Sequence, residues 1–297
     1  MQPILYHYTS PTGALGILAS GSVWATNIFF LNDATELTHA ADVANAVLQT
    51  LSEQERDSER RSLLKMLQQN PSPDKMWLPP WEHPYVFSLS EDGDLLSQWR
   101  AYSRDGGYAI GFHSGGLAEI GFDPGVTDTI EASRDWRIFL TKCVYDEAEQ
   151  RERVREIIAQ IVDDALGILR SGTDPGMTWD VGAWASARAN DTFRTMLANI
   201  APTLKHSTFR EEREWRLVAI AVDGARPTIA WRASGSILIP YAPLPFGPVE
   251  NFIAEVHVGP SSQMEFAESS ISFLLKSRSR GQFQGRVAPS RIPYRGM

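Results

Sequence analysis

The chain has 297 residues, 43% hydrophobic and 22% charged, which excludes disordered, collagenous and coiled-coil classes and allows one large domain or two modest ones. A formal net charge of -8 argues against a broad electrostatic grip on nucleic-acid backbones. A single cysteine, Cys143, excludes an intramolecular disulfide and any multi-cysteine metal site, and it suits a reducing cytoplasm.

An apolar run ending on His7-Tyr8-Thr9-Ser10, then a segment closing on Ser20-Gly21, reads as strand, helical turn, glycine cap and second strand. Asp33 and Glu36 form a capping-box pair ahead of a helical segment to about Asn70, with a break near Ser58. A Pro-rich connection, Asn70 to Asp74 and Pro79-Pro80, leads to a β-rich run at Tyr85–Ser90. A short helix follows at Leu95–Tyr102, then a glycine turn and a strand at Tyr108–Phe112. Gly106-Gly107 and Gly115-Gly116 read as turns, and Phe139–Tyr145 as a strand that buries Cys143 as a small hydrophobe.

From Asp146 to Leu169 apolar residues recur at helical spacing, Gly172 to Gly176 is a turn, and Trp179–Ile200 is a second helix. Short β-prone runs then recur at Glu214–Ile220, Thr228–Trp231, Ser236–Ile239 and Phe252–Val258. A helix over Ser262–Leu275 and a last strand around Val287 close the chain. The expected architecture is one α+β domain over 1–297, with a small, split, mainly antiparallel sheet and helical insertions at about 33–70 and 146–205. No segment has the length of a membrane span and no basic stretch precedes an apolar run at the amino terminus, so a cytoplasmic protein without a membrane partner is expected.

Three polar clusters fall at strand boundaries: His7-Tyr8, Ser88-Leu89-Ser90, and Glu211-Glu212-Arg213-Glu214. Alternation on a strand lets Ser88 and Ser90 share one face, and likewise Glu212 and Glu214. Each cluster has a plain structural alternative: a satisfied strand-end histidine, a turn before Glu91-Asp92-Gly93, and a salt bridge from Glu214 to Arg213 or Arg216. Gln98 and Arg100 are suited to an anion while Trp99 packs inward; the alternative is a surface helix with an aromatic anchor. Six scattered histidines without a pair at three- or four-residue spacing, and one cysteine, give no metal-ligand pattern, and no Walker loop or nucleophile elbow is present. Lys276, Arg278, Arg280, Arg286, Arg291 and Arg295, with no acidic residue after Glu268, form the one basic stretch.

The segments LYHYTS, SGSVWAT, LNDATE, FSLSEDGDLLSQWRAY, GGYAIGF, FREEREWRLV and SRIPYR together resemble the bacterial domain-of-unknown-function family 2971 over nearly the whole chain. The opening, and the order His, Ser-x-Ser, Glu-x-Glu, is similar at a distance to ADP-ribosyltransferase-like proteins, with Ser-Leu-Ser where Ser-Thr-Ser is usual. That resemblance implies an ADP-ribosyltransferase-type sheet and NAD as substrate, with no metal. It implies ADP-ribosyl transfer or NAD hydrolysis, in a toxin or phage-defence setting, with a protein or nucleic acid as acceptor. By the same resemblance Glu214 would be the catalytic carboxylate, with Glu212 orienting or activating the acceptor; the strand register leaves Glu211 and Glu212 open as that carboxylate too. His7, assisted by Thr9 or Ser10, would hold a ribose, Ser88 and Ser90 the nicotinamide end, and Tyr8 or Trp24 a stacking surface. Two other expectations stand beside it: a non-catalytic nucleic-acid or protein-binding module using the basic stretch, and an RNA-end or nucleotide-processing enzyme on the same sheet.

Overall fold

Ten strands carry the fold in a computed structural model that describes residues 3–31, 35–69, 80–102, 106–120, 135–171, 180–222 and 224–293. In chain order they are β1 (Ile4–Thr9), β2 (Ser22–Asn27), β3 (Tyr85–Ser90), β4 (Tyr108–His113), β5 (Trp136–Lys142), β6 (Glu214–Ala221), β7 (Ala230–Ser234), β8 (Ile237–Pro245), β9 (Ile253–Val258) and β10 (Arg286–Pro289). Their spatial order is β10-β9-β4-β1-β3-β2-β8-β7, with β6 also paired to β3 and β5 paired to β6. Among the ten described strands only β9 and β10 pair in parallel.

The sheet is open and mostly antiparallel, and it forks at β3. Along one edge every residue of β3 pairs with β6, from Tyr85↔Ala219 to Ser90↔Glu214. On its other edge β3 meets β1 at Tyr6↔Ser90 and β2 at Thr26↔Val86 and Asn27↔Tyr85. Between those junctions Phe87, Ser88 and Leu89 have no strand partner on that edge. β1 continues into β4 and β2 into β8, so two half-sheets share one strand.

Two compact units result. The sheet unit is Met1–Phe30, Pro84–Cys143 and Phe209–Met297; the helical unit is Leu31–His83 and Val144–Thr208. In the sheet unit lie α1 (Pro11–Ser20), α4 (Leu96–Tyr102), α5 (Ser114–Glu119), α8 (Val249–Phe252) and α9 (Met264–Arg278). α1 forms because Ser10 caps it, accepting from the Gly13 amide at 3.2 Å, Pro11 opens it, and Gly21 closes it at φ 64°. Its Ala14, Ile17 and Leu18 join the sheet core with Leu5, Phe87 and Phe112.

The helical unit holds α2 (Thr35–Gln54), α3 (Ser58–Leu67), α6 (Glu147–Ser171) and α7 (Val181–Ile200). Val154, Ile158, Ile161, Val162 and Ala165 are the buried stripe of α6, which packs on α7 and α2. Gln150 is a buried polar hub there: its amide donates to the carbonyls of Val144 (2.6 Å) and Lys205 (2.8 Å), and its Oε1 lies 2.9 Å from His39 Nε2.

Several expectations are corrected. The strand expected through Tyr145 stops at Lys142, because Val144 leaves to form an isolated bridge with Leu204. Gly115 and Gly116 lie inside α5, where the missing Cβ of Gly116 leaves room for the Phe252 ring. The capping pair Asp33/Glu36, the connection at 70–79 and the turn at 172–176 lie outside the described residues and side chains.

Two glycines make opposite predictions. A Cβ on Gly285 would lie 2.3 Å from the Ala254 carbonyl, whereas one on Gly167, within α6, meets open space. Gly285→Ala is expected to destabilise by about 1–3 kcal/mol through overpacking. Gly167→Ala is expected to stabilise by about 0.5–1 kcal/mol through helix propensity. Thermal melts of both variants beside the parent chain check the signs.

Candidate functional site at the fork of the sheet

His7 stands where β1 and β2 part. Its Nδ1 lies 2.9 Å from the Ser88 carbonyl and its ring stacks on Phe87 with centroids 4.0 Å apart. A carbonyl only accepts, so Nδ1 carries the hydrogen. Burial pushes the imidazole pKa down to about 4; the Ser88 hydrogen bond opposes this and the charge of Arg232 adds to it. At pH 7 the ring is therefore neutral, and Nε2 is left as an acceptor suited to a hydroxyl.

The β2 side of the fork presents an aromatic pair and a cation. Trp24 stacks on Tyr241 with centroids 4.8 Å apart, and a Cβ on Gly16 would lie 2.1 Å from the Trp24 ring, so the glycine lets the indole lie against α1. Thr26 pairs with Tyr241, and its Oγ1 accepts from Arg232 Nη2 at 2.9 Å. Arg232 Nε is buried without a partner among the described residues, and burial lowers the pKa of this guanidinium.

The β6 side presents an ion pair. Ser88 faces Arg216 and Ser90 faces Glu214 across the ladder, which puts the four side chains on one face. Arg216, 1% exposed, donates from Nε to Glu214 Oε1 (2.7 Å) and from Nη2 to Oε2 (3.2 Å). This bidentate pair realises the alternative in which Glu214 bridges to Arg216.

Glu212 does not share that face. It ends a 3₁₀ turn (Ser207–Glu212), and Arg213 follows at φ 42°, so β6 begins only at Glu214 and strand alternation does not reach Glu212 or Glu211. Ser90 holds this turn: its hydroxyl donates to the Glu212 carbonyl (2.8 Å) and accepts from the Asp92 amide (3.1 Å). Ser10 is occupied as the cap of α1, and Thr9 Oγ1 lies against Gly13. Of the two rings expected to offer stacking, Tyr8 is 5% exposed, edge-on to Trp99, with its hydroxyl fixed by the Asp92 carbonyl and the Leu95 amide; only Trp24 borders the fork. α4 lies over β1 with Trp99 inward and Gln98 buried, while Arg100 is exposed. Among the described residues no His/Cys/Asp/Glu group is arranged to hold a metal ion.

The residues missed from sequence are Arg232, Thr26 and Tyr241. Arg232 sits alone among small and apolar neighbours in Ala230–Ser234, a visible but weak signal.

Removing one partner of the buried pair strands the other. Arg216→Met is expected to cost about 3–5 kcal/mol in urea unfolding, and the double variant Glu214→Leu/Arg216→Met less than Arg216→Met alone. The depressed His7 pKa has a signed consequence. Below pH 6.5 the unfolded chain takes up this proton first, so stability falls as pH drops from about 6.5 towards about 4. His7→Gln, which keeps a donor for Ser88, is expected to flatten that slope by up to about 1.4 kcal/mol per pH unit. Urea titrations between pH 7.5 and about 4.5 measure it.

No curated protein and no solved structure matches the chain. Residues 98–217, a stretch that includes Glu214 and Arg216 and leaves His7, Trp24, Ser88 and Arg232 outside, match the family described as Protein of unknown function (DUF2971).

Proposed function

We propose that the fork binds NAD and that the protein cleaves its nicotinamide–ribose bond, as an ADP-ribosyltransferase or NAD glycohydrolase. The observation that carries this reading is the fork at β3, where a neutral imidazole is held against the Ser88 carbonyl, while an oriented carboxylate is paired across from Ser90 on the opposite face of the strand from the His7–Phe87 stack. Heterolysis sends the bonding pair to the nicotinamide nitrogen and leaves an oxocarbenium-like ribose. A carboxylate fixed beforehand stabilises that cation without reorganisation. Glu214, held by Arg216, supplies it and hydrogen-bonds a ribose hydroxyl. His7 Nε2 accepts a second hydroxyl, and water or an acceptor nucleophile closes the bond to C1′, releasing its proton. In this reading Glu212, which ends the turn outside the strand, serves the acceptor side.

A second reading has its own support. The 5% exposure of Glu214 and the engagement of both its oxygens suit a structural strut, and hence a binding module on the same sheet.

Nicotinamide release from NAD by the purified chain, with and without cell lysate, separates the two. The expected result is release that Glu214→Gln lowers by about a hundredfold or more, with circular dichroism unchanged and a smaller loss in Glu212→Gln. No release together with no NAD-induced thermal shift overturns the enzymatic reading and leaves the module.

A further inference from the structure

Resting on the reading of the fork as a nucleotide site, we infer that Arg232 is its phosphate-reading residue and that the site selects nucleoside diphosphates over nucleosides. Nothing in the order of sequence motifs points to Arg232; four structural observations do.

First, the guanidinium is partly buried in β7, yet no carboxylate pairs with it among the described residues. Its one partner there is a neutral hydroxyl, Thr26 Oγ1 at 2.9 Å. A desolvated cation without a counter-charge is unfavourable, and an anion supplied by a ligand removes that penalty. Second, Nε–H is buried and unanswered. Arg216 uses its Nε and Nη2 to grip Glu214 from the side, and the Nε of Arg232 is free to begin the same grip on a phosphate.

Third, the neighbours are those a nucleotide needs. The charge of Arg232 is felt at His7, Tyr241 is adjacent, and Trp24 stacks on Tyr241. An anion reader, an aromatic pair and a neutral acceptor thus sit on the two arms of one fork. Fourth, the Arg216 guanidinium is engaged by Glu214, whereas Arg232 Nε is a buried donor without a partner among the described residues. A nucleoside alone would leave that donor unused.

Calorimetric titration of the intact chain with ADP, adenosine and inorganic pyrophosphate tests this. ADP is expected to bind at least about tenfold tighter than adenosine, and Arg232→Gln to erase that margin with adenosine binding unchanged. Arg232→Lys, which keeps the charge and loses the planar grip, is expected to retain only part of it. Should Arg232→Gln fail to fold by thermal melt, Thr26→Val, which removes the hydroxyl positioning Nη2, is expected to narrow the margin. Equal binding of ADP and adenosine by the parent chain overturns the role of Arg232 while leaving a nucleoside site. Pyrophosphate binding without adenosine binding overturns the nucleotide class. Binding of none of the three overturns the fork reading itself.

Discussion

The architecture depends on one backbone carbonyl. Where β3 is shared between β1 and β2, the Ser88 carbonyl faces the fork instead of a strand, and a buried carbonyl must find a donor. The His7 imidazole supplies it at 2.9 Å. That single bond stands in for one ladder rung, at the Ser88 carbonyl, where β1 and β2 part. It also fixes the tautomer, which turns a structural repair into an oriented acceptor. A lysine or arginine at position 7 would satisfy Ser88 but bring charge into the fork; a serine would be too short to span it.

The other arms of the fork solve a different problem, that of placing charge in a desolvated sheet. On β6 the solution is internal: Glu214 and Arg216, two residues apart on one face, neutralise each other. On β7 it is incomplete, since Arg232 has a hydroxyl where a carboxylate would be expected. The first arrangement rigidifies; the second leaves a buried donor, Arg232 Nε, without a partner among the described residues. Away from the fork, Tyr6 donates to Glu255 and His257 Nε2 lies 3.1 Å from the same Oε1, which ties β1 to β9 across β4. The half-sheet that carries His7 is thereby anchored at its side chains as well as its backbone.

Much of this was legible in sequence because period and punctuation are local. Ser10-Pro11 before α1, Gly21 after it, the stripe of α6 and the run Tyr85–Ser90 each announce themselves within a few residues. Glu214 pairing with Arg216 was legible as an alternative, since same-face spacing permits it. What was not legible is whatever depends on the neighbouring strand. Glu212 and Glu214 are two apart, yet the left-handed turn at Arg213 falls between them and cancels the alternation. Arg232 acquires meaning only because Thr26, 206 residues away, lies beside it. Tyr8 and Trp24 read alike as aromatic residues near the start of the chain, and only the packing of Trp99 on one and Tyr241 on the other separates an interior ring from one at the fork.

The three groups at the fork are complementary because their charges differ in availability. A neutral His7 adds no repulsion to a bound phosphate and no attraction that would compete with Arg232 for it. If His7 were protonated, two cations would share the fork and an anion would be held between them; the positive field of Arg232 itself works against that state, since it lowers the imidazole pKa. The Glu214–Arg216 pair has little net charge to offer a phosphate. In the proposed reading a ligand with both phosphate and sugar would set its anion at β7, where charge is unbalanced, and a sugar hydroxyl at the neutral acceptor on β1. This sorting follows from which side chains are paired within the chain and which are not, and the forked edge of β3 is what brings the two kinds together.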